Sequence, residues 1–142
     1  MITAFFSGLL ASLGLSIIFN IHRKHILFAV LGAGLGSLIQ YVVTPLFGNV
    51  YLPVFVAALF AGTYGEVMAI IQKAPATTYV IPAILPMVPG AGMYYTMHAF
   101  AARDFVQTAF YGYQTIFIAL AIACGVVIAP SIRRFIMQQK RA

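Results

Sequence analysis

Apolar residues run through this chain in five long blocks, and polar residues are confined almost wholly to the gaps between them. The blocks cover positions 2–21, 26–44, 51–71, 79–102 and 105–129. The gaps are His22-Arg23-Lys24-His25, an uncharged turn from Pro45 to Val50, Gln72-Lys73-Ala74-Pro75, and Arg103-Asp104. At about 1.5 Å per residue, twenty residues of helix cover about 30 Å, the thickness of a bilayer's hydrocarbon core. The pattern therefore predicts an all-α integral membrane bundle of five transmembrane helices. It forms a single domain over residues 1–142, with a basic tail from 130 to 142.

The fourth block departs from the others. Between Pro82 and Met97 it holds Pro82, Pro86, Pro89, Gly90 and Gly92. Each proline removes a backbone N–H and crowds the carbonyl four residues earlier. In lipid, a broken backbone survives only where protein buries it or where it lines a polar cavity. The fourth helix is thus predicted to be broken by Pro and Gly, at a packed kink or at a site. Interrupted helices near the midplane recur at the binding sites of secondary transporters.

Composition supports the membrane assignment. The chain is 63% hydrophobic and only 7% charged, against roughly 25% charged residues in globular domains. The net charge of +6 does not form a nucleic-acid patch, because the basic residues lie at the ends of apolar blocks. Cys124 is the only cysteine, so no intrachain disulfide can form. Lys and Arg concentrate on the cytoplasmic side of membrane proteins. Placing His22–His25 in the cytoplasm puts Lys73, Arg133, Arg134, Lys140 and Arg141 on the same side, with the near-neutral Arg103-Asp104 opposite. The expected topology is N-terminus out and C-terminus in. A re-entrant fourth block would send the basic tail to the wrong face.

Small residues recur at four-residue spacing: Gly8, Ser12 and Ser16; Gly32 and Gly36; Ala61, Gly65 and Ala69; Ala121, Gly125 and Ala129. That spacing places them on one face of a helix. Between helices in lipid, close approach of such faces replaces the hydrophobic drive. These stripes are read as packing surfaces.

Three groups of residues are candidates for chemistry. Glu66 is the only acidic residue inside a block. An ionisable group within the membrane is a functional candidate by default, and Glu66 is assigned to proton coupling. Its alternative is to reach the cytoplasmic interface or Lys73. In the fourth block, unwinding over Pro86–Gly90 would start a half-helix near Ala91. Its first N–H groups would lack intrahelical partners and favour an anion such as a carboxylate. Pro86, Pro89, Gly90, Gly92, Tyr94 and Tyr95 are the resulting substrate-binding candidates, with Thr96 and His98 following. Gln40, Tyr41, Tyr111, Tyr113 and Gln114 are weaker candidates, either for a polar vestibule in the outer half of the membrane or for interhelical hydrogen bonds. No His/Cys/Glu cluster suits a metal, and no glycine run leads into the Lys-Ser/Thr of a phosphate loop. Neither a cofactor nor enzymatic activity is expected.

The run Ala74-Pro75-Ala76-Thr77, followed by Ile81-Pro82-Ala83-Ile84-Leu85-Pro86-Met87-Val88-Pro89-Gly90-Ala91-Gly92-Met93-Tyr94-Tyr95, resembles the threonine/serine exporter family. It is similar in particular to the small, stand-alone subunits equivalent to that family's C-terminal half. Met87 stands where the family pattern has leucine. The resemblance implies a multi-pass subunit of the bacterial inner membrane that works with a larger partner of the N-terminal-half type. It implies export of threonine, serine or succinate-like dicarboxylates, driven by the proton gradient. Two five-span halves in sequence would have opposite orientations and form an inverted repeat, with the substrate at their interface. The rival readings are a non-transporting subunit that stabilises a partner, and an autonomous homo-oligomeric channel.

Overall fold

The computed structural model of the chain describes residues 2–139, and side chains through Ser131. The elements are α1 (Ile2–Ile18), α2 (Arg23–Phe47), α3 (Tyr51–Gln72), α4 (Thr77–Ile84), a 3₁₀ turn (Leu85–Met87), α5 (Gly90–Ala101) and α6 (Phe105–Gln139). The described residues contain no strand.

Three helices are long and apolar enough to cross a membrane: Arg23–Phe47, Tyr51–Gln72 and Phe105–Ser131. The pair Thr77–Met87 and Gly90–Ala101, bent by 47°, makes a fourth if it is counted as one span. α1 is apolar but has only 17 residues. The all-α expectation is therefore met, while the span-length units number three, or four with the bent pair, and not the five expected.

Helix ends differ from the predicted ones for local reasons. α1 stops at Ile18 because Asn20 turns left-handed (φ 51°), and the Ile21 N–H reaches back to Ser16 O at 3.0 Å. This wide closure satisfies a terminal carbonyl and usually uses glycine. The same device ends α3 at Lys73 (φ 51°, Ala74 N–H to Ala69 O) and α5 at Arg103 (φ 60°, Asp104 N–H to Ala99 O). Only α2 ends on a glycine in this conformation, Gly48 (φ 63°). α2 continues through Pro45, and α6 continues through Pro130 to Gln139. The residues assigned to the start of a tail are thus helix. Lys140 and Arg141 lie outside the described residues, as do the side chains of Arg133 and Arg134.

Asn49 and Asp104 open the helices that follow them. Asn49 Oδ1 accepts the Leu52 N–H at 3.1 Å, and Asp104 Oδ1 accepts the Gln107 N–H at 3.0 Å. Each thereby satisfies one of the first-turn donors that a helix leaves unpaired.

The stripes of small residues are where the helices meet. Gly8, Ser12 and Ser16 are buried on α1, and Gly32 and Gly36 on α2. A Cβ on Gly8 would collide with Ser37 of α2, and one on Gly32 would lie 2.5 Å from Tyr64 Cε1 of α3. On α3, Gly65 faces Val80 of α4. A second α3 face, Ala58 and Gly62, meets Gly125 and Ala129 of α6.

Those contacts also set direction. Gly62 meets Ala129, Ala58 meets Gly125 and Tyr51 meets Phe117, so α3 and α6 run parallel. Gly92 meets Thr115 and Tyr95 meets Tyr111, so α5 and α6 run antiparallel. The α4–turn–α5 unit therefore carries the chain from one end of the bundle to the other. Where α3, the 3₁₀ turn and α6 converge, Val54, Ala57, Ala58, Met87 and Ile122 form the buried core.

Two cavities at a candidate functional site

The break in the fourth unit follows from its sequence. Pro86 lies within the 3₁₀ turn, and Val88 is extended (φ −59°, ψ 132°) before Pro89. Proline disfavours the α region for the residue before it, and here Val88 takes the extended conformation, so the helix ends there. A new helix, α5, opens at Gly90. The Gly90 N–H turns back to Val88 O at 2.8 Å, and the Met93 N–H reaches Pro89 O at 3.1 Å. The Ala91 and Gly92 amides between them have no carbonyl partner among the described residues.

Those two residues line a cavity of about 410 Å³ between α2, α3, α5 and α6. Its polar lining is Gln40, Tyr95, Tyr111, Gln114 and Thr115, set against Val54, Met87 and Ile118. Most binding pockets have volumes of about 300–1,000 Å³ and combine apolar walls with a few convergent polar groups. A second cavity, about 420 Å³, lies between α1, α2 and the 3₁₀ turn. It is lined by Ser7, Gly8, Ser37, Gln40, Tyr41, Thr44 and Pro86 among others.

The substrate-binding candidates therefore separate. Pro89, Gly92 and Tyr95 line the first cavity, and Pro86 lines the second. Gly90 is exposed, and a Cβ there would have nothing within 4 Å. Tyr94 is 64% exposed and packs beside Tyr95 and His98, away from both cavities. Glu66 is half-buried on α3 and lines neither cavity. By helical rise it lies about 18 Å along α3 from Val54. Of the vestibule candidates, Gln40, Tyr111 and Gln114 gather in the first cavity and Tyr41 in the second, while Tyr113 stacks outward against Phe110 and Phe117. Gln40 and Gln114 make no side-chain hydrogen bond among the described residues, so the alternative of interhelical bonding does not describe them.

Several polar groups were not singled out from the sequence. Thr115 hydroxyl donates to Tyr111 O at 2.7 Å and presses on Gly92. At the other end of the bundle, His25 is half-buried, not part of a solvated loop. Its Nδ1 lies 2.6 Å from the hydroxyl of fully buried Tyr79, and the rings meet edge to face. Tyr64 donates to Phe28 O at 2.8 Å. These contacts tie the start of α2 to α3 and α4. No local sequence signal marks a pair so far apart in the chain. No group of His, Cys, Asp or Glu among the described residues is placed to hold a metal.

The family model described as Threonine/Serine exporter, ThrE, matches residues 4–132. No curated protein and no solved structure matches the chain.

Proposed function

The chain belongs to the threonine/serine exporter family, and on that premise we propose that it is a subunit of a two-component secondary exporter of small carboxylate-bearing metabolites. The observation that carries this reading is the helix break, which leaves the Ala91 and Gly92 amides without carbonyl partners in residues that line a largely apolar cavity with a few polar side chains. The N-terminus of a helix favours a carboxylate through its free donors and its dipole. Threonine, serine and a succinate-like dicarboxylate share that group. Tyr95, Gln114 and Tyr111 would supply the remaining polar contacts, with Pro89 and Gly92 shaping the wall. Pro86, Gly90 and Tyr94 belong to the break itself.

The chain would cross the bacterial inner membrane five times, N-terminus out and C-terminus in. The parallel run of α3 and α6 supports a fourth unit that crosses, and Arg23, Lys24 and Lys73 then fall at one end. An odd number of crossings matches a larger partner subunit of opposite orientation. Glu66 would couple the proton gradient. Its separation from the cavity means that protonation would act through movement of α3 or α4, not through contact with the ligand.

Efflux of labelled threonine and labelled succinate, with and without the larger partner, tests the proposal. Efflux that requires both chains supports it and names the substrate class. Efflux from this chain alone identifies a self-sufficient channel or exporter. Absence of both fluxes with both chains inserted refutes these substrates and leaves only the membrane fold standing. In an active pair, Glu66→Gln is expected to abolish proton-dependent flux while leaving insertion unchanged. Normal pH-dependent flux in that variant would remove Glu66 from the scheme.

A further inference from the structure

Gln40 is the one residue that lines both cavities. It stands one helical turn beyond Gly36 on the same face of α2. The missing side chain at Gly36 lets Met87 lie against α2, since a Cβ there would come 2.5 Å from Met87 Cε. Met87 walls the first cavity, and its neighbour Pro86 walls the second. The two chambers are thus separated by the 3₁₀ turn on one side and by Gln40 on the other.

The linings differ in a way that suits a route. The first chamber is lined by Ala91 and Gly92, whose amides lack carbonyl partners among the described residues, and by Tyr95 and Tyr111. The second is faced by short hydroxyls, Ser7, Ser37 and Thr44, with Tyr41. Of these, Ser7 and Thr44 bond within their own helices, to Ala4 O at 3.0 Å and Gln40 O at 2.7 Å. The Gln40 amide has two N–H donors and a carbonyl acceptor. Gln40 is half-buried and makes no side-chain hydrogen bond among the described residues, so those sites are open to a bound polar group. A carboxylate on the α5 amides would leave the rest of a small ligand in the chamber that Gln40 also lines.

We propose that Gln40 reads the ligand's hydroxyl at the constriction where two chambers of one polar route meet. This rests on the exporter reading and deepens it, because it assigns the selection of a hydroxylated amino acid to a single side chain. A site built to bond a hydroxyl rejects the analogue that lacks it, since its own polar group is then left unpaired. Valine is the matching analogue of threonine, with a methyl in place of the hydroxyl.

The test uses cells that produce the full chain together with its larger partner. Competing efflux of labelled threonine and labelled valine is compared for the unmodified chain, Gln40→Leu and Gln40→Ala. The unmodified pair is expected to favour threonine, and both variants to lower the threonine-to-valine ratio by about tenfold or more. A ratio unchanged within about twofold in both variants, while threonine still moves, overturns the role of Gln40. If neither amino acid leaves cells carrying the unmodified pair, hydroxyl selection falls, and the exporter reading stands only if labelled succinate leaves the same cells. The route has its own readout, independent of substrate. In a Cys124→Ser background, Ser37→Cys is treated with a membrane-impermeant charged maleimide, with Ala102→Cys at the exposed end of α5, on the outer side, as the control. Labelling of both cysteines, slowed at Ser37→Cys by threonine, supports a water-filled second chamber. Labelling of the control alone overturns it.

Discussion

Gly92→Ala is a substitution whose clash the structure traces to a single side-chain atom. A Cβ on Gly92 would collide with Thr115 Oγ1, while the rest of the Thr115 side chain sits at ordinary contact distance, Cβ at 3.5 Å and Cγ2 at 3.8 Å. Thr115 Oγ1 is also committed, donating to Tyr111 O at 2.7 Å. Three terms therefore compete. Replacing glycine within a helix gains up to about 1 kcal/mol of helix propensity. Forcing a methyl into a filled space costs about 1–3 kcal/mol. Displacing the Thr115 hydroxyl forfeits a hydrogen bond worth about 0.5–1.5 kcal/mol. The losses win, and Gly92→Ala is expected to destabilise by about 1–2 kcal/mol. Gly90→Ala meets nothing within 4 Å and gains the propensity without the clash, so it should be neutral or slightly stabilising.

The clash runs through one atom, so a double-mutant cycle isolates it. Thr115→Ala removes Oγ1 and leaves a Cβ that Gly92→Ala can meet at 3.5 Å. The double variant should recover about 1–2 kcal/mol relative to the sum of the single changes, well above the roughly 0.5 kcal/mol within which independent sites add. The assay is reversible unfolding of the purified chain in mixed micelles, followed by far-UV circular dichroism. A Gly92→Ala protein as stable as the original, or a cycle with coupling below about 0.5 kcal/mol, would refute the reasoning.

Other substitutions probe the scaffold. Gly125→Ala places a Cβ 2.9 Å from Ala58 Cβ and from the backbone of Phe55 and Leu59; backbone cannot step aside, so a loss of about 2–3 kcal/mol in the same unfolding assay is expected. His25→Ala leaves the buried Tyr79 hydroxyl without its partner and should cost about 1–3 kcal/mol, with Tyr79→Phe restoring part of that loss in the double variant. Ser12→Ala and Ser16→Ala remove buried hydroxyls that make no hydrogen bond; each should change stability by less than about 0.5 kcal/mol, and a larger loss would show a bond that these side chains make.

Much of the bundle was legible because it rests on short-range rules. The chain turns at or beside the polar gaps, at 19–22 just before the helical Arg23-Lys24-His25, at 48–50 in the second half of Pro45–Val50, and at Arg103-Asp104, and the stripes Gly8/Ser12/Ser16 and Gly32/Gly36 are buried where their spacing placed them. The break between Pro86 and Gly90 was legible because proline acts on its immediate neighbours. What failed was legibility of phase and of distance. A helix that restarts at Gly90 has no register in common with the one before it, so which of Tyr94 and Tyr95 faces the cavity could not be read from α4. Pro45 and Pro130 resemble Pro86 in sequence, yet the helices run through them: α2 continues for two residues to Phe47, where left-handed Gly48 ends it, and α6 continues to Gln139. His25 and Tyr79, and the Ala58/Gly62 face of α3, are tertiary facts. Nothing within a few residues of either announces them.

The distribution of tight contacts explains how a break can be tolerated here. α3 is held on three sides: by α2 through Tyr64 and Gly32, by α4 through Val80 and Gly65, and by α6 through the paired small residues around Gly62 and Gly125. The upstream half of the fourth unit belongs to this rigid part, since Tyr79 and Pro82 are fully buried and Met87 enters the core cluster. The downstream half does not. α5 packs on α6 through Gly92, Tyr95 and Thr96, and it contributes no residue to that cluster. The cost of an interrupted helix is the loss of intrahelical hydrogen bonds at the joint, and here that loss falls between a fixed element and a lightly held one. The unpaired amides at the start of α5 are consequently on the one segment whose displacement would leave the α2–α3–α4 core intact. A ligand that bridges those amides to Gln40 on α2 would join the two parts across the joint. In the exporter reading, ligand occupancy and the position of α5 are therefore coupled by geometry alone.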